Sequence, residues 1–258
     1  MDRWIGRVAV VTGASAGIGE AITKDLVKHG MIVVGIARRV ERIEALKNEL
    51  KGAKGKLCPL KADVSKEEEV VAAFQWIKQH VRGVDVLVNN AGIAGTSTLG
   101  EGPVLNWKRV LDLNVLGLSM CTKEALQSMK ERGVDDGHIF HINSINGHGV
   151  PAHAVEYGCL MYTATKNAVT ALTEGLRREL VQNNSKIRVT SISPGMVRTE
   201  IIAASDYKLP EGMTSDQLYD SIPHLNTKDI SDALIYCLGT PPHVQIHEII
   251  IKPIGEPF

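Results

Sequence analysis

The chain has 258 residues, 44% of them hydrophobic, enough to bury one large core or at most two small ones. Lys+Arg and Asp+Glu both number 29, so charge makes no case for nucleic acid or an anionic membrane surface as partner and leaves a small molecule. Cys58, Cys121, Cys159 and Cys237 lie far apart, with no C-x-x-C pair and no histidines at metal-ligand spacing; they read as reduced thiols, and no metal site is expected. No apolar run reaches the ~18 residues of a membrane span. Residues 1–7 lack the length and cleavage pattern of a signal peptide, which makes the cytoplasm the default location.

The first element is a β-branched and small apolar run at 8–12, bounded by Gly6 and Gly13, as expected of a strand buried on both faces. A helix follows from 17 to about 29. The alternation then repeats, with strands at 32–36, 57–61 and 84–89 and helices at 40–50 and 66–80. Ser65 stands three residues before Glu68, a capping-box pattern for the helix beginning at 66. Later come a long helix at about 107–131, a strand at 138–142, a helix at 157–183, a strand at 187–193, a helix near 228–238 and a last strand at 244–251. Seven strands alternating with helices predict an α/β chain, a single-domain Rossmann fold over 1–258, with a doubly wound parallel sheet covered by helices on both faces. No repeat, low-complexity segment or linker divides it.

After the first strand the chain reads Thr12-Gly13-Ala14-Ser15-Ala16-Gly17-Ile18-Gly19 and enters a helix. In that position Gly13 permits the tight turn, Gly17 lets the backbone approach a pyrophosphate and Gly19 allows close helix packing, while the helix N-terminus offers N–H groups to the phosphates. The alternative is an ordinary strand-to-helix loop. Where an Asp or Glu would hold the ribose 2′-hydroxyl of NAD, the second strand ends in Ile36-Ala37-Arg38-Arg39. Guanidinium groups suit a 2′-phosphate, so NADP is the expected cofactor; the competing reading makes Arg38 and Arg39 solvated residues at a helix start.

Three further segments, Asn89-Asn90-Ala91-Gly92, Tyr162-Thr163-Ala164-Thr165-Lys166 and Pro194-Gly195, in this order and spacing, resemble the short-chain dehydrogenase/reductase family over nearly the whole chain. The stretches MKERGVDDGH at 129–138 and AVTALTEGLR at 168–177 look like the subgroup of insect farnesol dehydrogenases and animal carbonyl and ketosteroid reductases. The resemblance implies a catalytic tetrad of Asn114, Ser144, Tyr162 and Lys166, with Asp63 and Val64 beside the adenine. It implies too that Asn90, Ala91 and Gly92 flank the cofactor, that 194–199, with Pro194, Gly195, Val197 and Thr199, lies near the nicotinamide, and that Asn114 holds a water connecting Lys166 to solvent.

A tyrosine of pKa about 10 is a poor base at neutral pH unless something favours the phenolate. Four residues apart on a helix, Tyr162 and Lys166 share a face, and the ammonium, with an oxidised nicotinamide, is expected to lower the phenol by about three units, roughly 4 kcal/mol. Ser144 would hold the substrate oxygen. The gap from Ser144 to Tyr162 is longer than the family's usual spacing, yet 145–161 contains no other Ser or Thr; Gly147, Gly149 and Pro151 mark the extra segment as loop. Tyr157 is a rival acid, but Met161 four residues on cannot stabilise its phenolate.

Substrate choice is expected in 196–225, with Ile201, Ile202, Tyr207, Leu209, Met213, Leu218, Tyr219 and Ile222, read either as a binding lid or as two short amphipathic helices packed on the core. The resemblance points to a prenyl alcohol such as farnesol, with steroid or dicarbonyl reduction as the alternative and a non-catalytic nucleotide sensor as a third reading. The helices at 107–131 and 157–183 carry apolar surface for a homodimer or homotetramer.

Overall fold

The computed structural model describes residues 1–205, 209 and 212–256; Tyr207 of the expected substrate loop lies outside them. In chain order the elements are β1 (Val8–Thr12), α1 (Gly17–Lys28), β2 (Ile32–Ala37), α2 (Val40–Glu49), β3 (Lys56–Lys61), α3 (Glu67–Val81) and β4 (Val86–Asn89). They continue as α4 (Val104–Leu111), α5 (Leu118–Glu131), β5 (His138–Ile142), α6 (Ala152–Glu156), α7 (Leu160–Gln182) and β6 (Arg188–Pro194). The last are α8 (Ile201–Ala204), α9 (Ser215–Ser221), α10 (Thr227–Gly239) and β7 (Glu248–Ile251).

The strands form one parallel sheet in the order β3-β2-β1-β4-β5-β6-β7. Alternate residues of each strand feed opposite layers. Ala9, Val11, Val33 and Val88 pack against α1, α2 and α10 through Leu26, Ile43 and Leu234. Val10, Val34, Leu87 and Ile139 pack against α3, α5 and α7 through Phe74, Met129 and Leu180. Because both faces are covered, β1 is buried at every residue, which explains its uninterrupted apolar run. Each large side chain in these layers contributes about 1.5–3 kcal/mol. Pro59 is tolerated because β3 is an edge strand. The order of strands reverses between β1 and β4, and their C-terminal ends open the crevice where such sheets bind ligands.

Several expected boundaries differ. The expected helix at 107–131 is one unbroken helical run that starts earlier, after Pro103, and carries a π-helical segment, Asp112–Gly117, between α4 and α5. A Cβ on Gly117 would stand 2.7 Å from the Val64 carbonyl oxygen, so the wide turn lets the helix lie against the end of β3. The helix expected at 157–183 begins only at Leu160, because Gly158 takes a φ of 68° and breaks the chain away from α6. That short helix occupies part of the segment read as loop. The last strand starts at Glu248 rather than 244: Gln245 uses its side-chain amide, donating to the Val189 carbonyl at 2.6 Å, where a ladder would otherwise form. The Ser65–Glu68 capping box is absent. Lys66 is the N-cap, the Ser65 hydroxyl donates to Asp63 Oδ1 at 2.7 Å, and Glu69 reaches back to accept from the Asp63 N–H at 2.8 Å. No helix among the described residues is long and apolar enough to cross a membrane.

The contact at Gly117 makes a sharp test. Gly117→Ala improves helix propensity but drives a methyl into backbone, so stability should fall by about 1–3 kcal/mol in urea unfolding; a gain would contradict the packing described.

Candidate active site

The glycine turn is built by close approach. Gly13 and Gly17 have φ of 69° and 60°, and a Cβ on Gly19 would lie 2.4 Å from the Gly13 carbonyl oxygen. Asn90 Nδ2 donates to the carbonyls of Thr12 and Gly13 at 2.9 and 3.3 Å. In return, Thr12 Oγ1 accepts from the N–H groups of Asn90 and Ala91, both at 3.0 Å. Gly92 faces Asn114, and Ser15, Ala16 and Ile18 are half-buried in the turn itself. The N-cap of α1, Ala16, gives no side-chain bond to the first N–H groups of the helix. A glycine cradle under an uncapped helix start fits a dinucleotide pyrophosphate, and Thr199 lies against Gly17 at its rim, 3.3 Å from where a Cβ would be.

Asp63 and Val64 follow β3. Burial pushes the Asp63 carboxyl up, but the Ser65 bonds and the Arg38 charge outweigh it and hold it below the usual carboxylate range. Val64 is buried in the core layer beneath α3. Arg38 and Arg39 are exposed at the end of β2. Arg39 Nη2 pairs with Glu200 Oε2 at 3.1 Å, and Arg42, one turn on, pairs with the same carboxylate at 2.7 Å.

The expected tetrad meets at the C-terminal ends of β4 and β5. Ser144, two residues past β5, is buried, and its Oγ accepts from the Asn146 N–H at 3.2 Å. Lys166 is also buried; Nζ donates to the Ile142 carbonyl at 2.8 Å and lies 5.6 Å from the Tyr162 ring centroid. Asn114, in the π-helical segment, grips the Ile93 main chain with both amide atoms, at 3.0 and 2.9 Å, and donates to Thr165 Oγ1 at 3.1 Å. Thr165 precedes Lys166, so Asn114 is joined to the α7 pair through that hydroxyl. Tyr157, the rival acid, is about half exposed, at 48%.

The expected lowering of the Tyr162 phenol calls on the ammonium and an oxidised nicotinamide together; the protein's own groups act in the other direction. Burial pushes the Tyr162 phenol up to about 12, partly opposed by the neighbouring Ser144 hydroxyl, and pushes the Lys166 ammonium down from its ordinary 10.5 to about 8. The lysine lies 5.6 Å from the ring centroid and donates to the Ile142 carbonyl, and desolvation is the main cause of both shifts.

Pro194 ends β6, and the Gly195 N–H donates to the Ile251 carbonyl at 2.7 Å. Val197 is buried and bridges Leu225, which ties together the two ends of the 196–225 segment. That segment folds as the short helices α8 and α9, with Ile202 and Tyr219 buried and Ile201, Leu209, Met213, Leu218 and Ile222 half-buried.

The short chain dehydrogenase family profile matches residues 7–209. The chain belongs to the short-chain dehydrogenase/reductase family. It is 54% identical over its full length to the full-length farnesol dehydrogenase of Aedes aegypti, and 50% identical to dehydrogenase/reductase SDR family member 11 of Gallus gallus across 99% of both chains. Among solved structures it is similar to an alcohol dehydrogenase from Thermococcus sibiricus complexed with 5-hydroxy-NADP, with a TM-score of 0.81, 27% identity and coverage of 96% of this chain and 97% of that one.

Three carboxylate and guanidinium groups of this short-chain dehydrogenase escaped the sequence reading. Arg42 shares the spacing of one helical turn with Arg39, a signal that was there to read; Glu200 and Glu256 had none. Glu256, in the tail after β7, accepts from the Met196 N–H at 2.8 Å, and its other oxygen lies 2.2 Å from where a Gly195 Cβ would be. Gly195 is therefore glycine to admit a carboxylate, which burial pushes up from its ordinary value.

The buried ammonium gives a signed prediction. An unfolded chain keeps the Lys166 proton up to about 10.5 while the folded one sheds it near 8, so between these values the unfolded state binds more protons and stability rises with pH. Wild type should gain stability relative to Lys166→Met across that window, measured by urea unfolding at several pH values; a constant difference would contradict the burial argument.

Proposed function

We propose that the chain is a single-domain, NADP-dependent alcohol dehydrogenase/reductase acting on a hydrophobic alcohol or carbonyl compound, with a prenyl alcohol such as farnesol as the substrate class. The observation that carries this reading is the pairing of half-buried Tyr162 with buried Lys166 beside Ser144 at the crevice of the sheet. When bound, NADP(H) would take up or deliver the hydride. Tyr162 exchanges the proton of the substrate oxygen, Ser144 holds that oxygen, and Lys166 supplies the positive charge that favours the phenolate in the transition state. Asn114 keeps the start of α7 in register with the end of β4 through Thr165 and Ile93.

Gly13, Gly17, Gly19 and the α1 N-terminus are the binders of the pyrophosphate, and Asn90, Ala91, Gly92, Pro194, Gly195, Val197 and Thr199 form the nicotinamide side. Asp63 and Val64 bound the adenine side. NADP is preferred over NAD because the end of β2 carries Arg38 and Arg39 and no acid. The Aedes relative's name favours farnesol, and half-buried aliphatic residues of α8, α9 and their connection suit such a chain. The same proton shuttle serves reduction of a ketone. A sensor would have no use for an ammonium whose burial costs stability. Exposed Val104, Leu105 and Leu111 on α4, with Leu172 on α7, suit a homodimer or homotetramer. Four free, buried cysteines fit a reducing, cytoplasmic setting.

Turnover of farnesol with NADP⁺ should drop by about 10²–10⁴-fold or more in Tyr162→Phe, with farnesal as the wild-type product; equal rates in the two proteins would end the enzyme reading. Replacing Arg38 and Arg39 together by Ala should weaken NADP⁺ binding by about 10- to 100-fold and leave NAD⁺ nearly unaffected; an unchanged ratio would refute the cofactor assignment.

A further inference from the structure

The carboxylate of Glu200 occupies Arg39, one of the two arginines assigned above to the cofactor's phosphate, together with Arg42 one helical turn on. Its Oε1 lies 2.7 Å from Arg42 Nη1 and its Oε2 3.1 Å from Arg39 Nη2, so one acid bridges two guanidinium groups. It arrives from far along the chain. Thr199, its neighbour, lies against Gly17 at the rim of the phosphate cradle, and Glu200 itself is the N-cap of α8, its carbonyl accepting from the Ala204 N–H at 2.8 Å. The side chain thus reaches from the 196–225 segment across the mouth of the cleft to the end of β2. Arg38 makes no ion pair among the described residues, and its charge is felt at Asp63.

We propose that Glu200 is an internal counter-anion that stands in for the 2′-phosphate at Arg39 and Arg42, and so sets how strongly the protein prefers NADP to NAD. The inference rests on the NADP reading given above. A carboxylate and a phosphate monoester offer a guanidinium fork the same kind of acceptor, but the phosphate carries nearly twice the charge and a third oxygen. Side-chain exposures of 46%, 44% and 48% for Arg39, Arg42 and Glu200 place the bridge in high dielectric, where such pairs are weak enough to exchange. NADP has to take these donors from Glu200 or share them with it. NAD, which has only a hydroxyl there, leaves the bridge intact. Glu200 therefore holds NADP affinity below what the arginines alone would give, and keeps two adjacent cations neutralised when the phosphate is missing.

The test is calorimetric binding of NADP⁺, NAD⁺, 2′,5′-ADP and 5′-AMP to wild type, Glu200→Gln and Arg39→Ala, at low and high salt. Glu200→Gln should bind NADP⁺ and 2′,5′-ADP about three- to tenfold more tightly, bind NAD⁺ and 5′-AMP within about twofold of wild type, and lose this gain at high salt. The unchanged NAD⁺ affinity also reports that the variant is folded. If Glu200→Gln binds NADP⁺ no better than wild type, or worse, Glu200 is an orienting partner of the arginines and the inference falls, while the NADP reading stands as long as Arg39→Ala weakens NADP⁺ alone. Wild type binding both cofactors equally overturns the NADP reading and this inference with it.

Discussion

Burial of the Lys166 ammonium is the constraint around which the site is arranged. A desolvated cation needs an acceptor, and the one it has is the Ile142 carbonyl, left free where β5 ends. That bond pins α7 to the C-terminal end of β5. Since Ser144 is two residues beyond Ile142 and Tyr162 one helical turn before Lys166, it also fixes the two hydroxyls against each other. The pair is held in conformations that disfavour its charges, a tension typical of sites kept for chemistry at the expense of stability.

The rest of the crevice is assembled by long-range polar bonds between strand ends that would otherwise diverge. Thr12 joins β1 to the chain leaving β4, Asn114 joins that same chain to α7, and Glu256 brings the tail after β7 onto the turn after β6. At the point where strand order reverses, successive connections leave in opposite directions and expose their backbone N–H groups. The start of α1, whose N-cap Ala16 gives no side-chain bond, lies at this point.

What could be read from the sequence was what depends on neighbours in the chain. The apolar run of β1, the tight turn at Gly13 and the one-turn spacing of Tyr162 and Lys166 are local properties, and the structure has them as expected. Ser65 misled because Asp63, two residues away, competes for its hydroxyl, and because Glu69 rather than Glu68 reaches back. The π turn at Asn114 comes from the approach of Gly117 to Val64 and was invisible to helical periodicity. Glu200 and Glu256 meet partners more than fifty residues away, and nothing local marks them. The upward shift of Tyr162 in the protein by itself has another reason: spacing tells that a lysine is near, but not how dry the place is.

The central claim is that Tyr162 exchanges a proton under the joint control of its burial and of positive charge brought beside it. Ultraviolet difference titration of wild type against Tyr162→Phe, free and with saturating NADP⁺, measures that ionisation directly. The account predicts a phenol that stays protonated far above neutral pH in the free protein, near its value of about 12, and ionises at distinctly lower pH once NADP⁺ is bound, with the shift reduced in Lys166→Met. A Tyr162 signal that already appears near neutrality without cofactor, or that does not move when NADP⁺ binds, would contradict it.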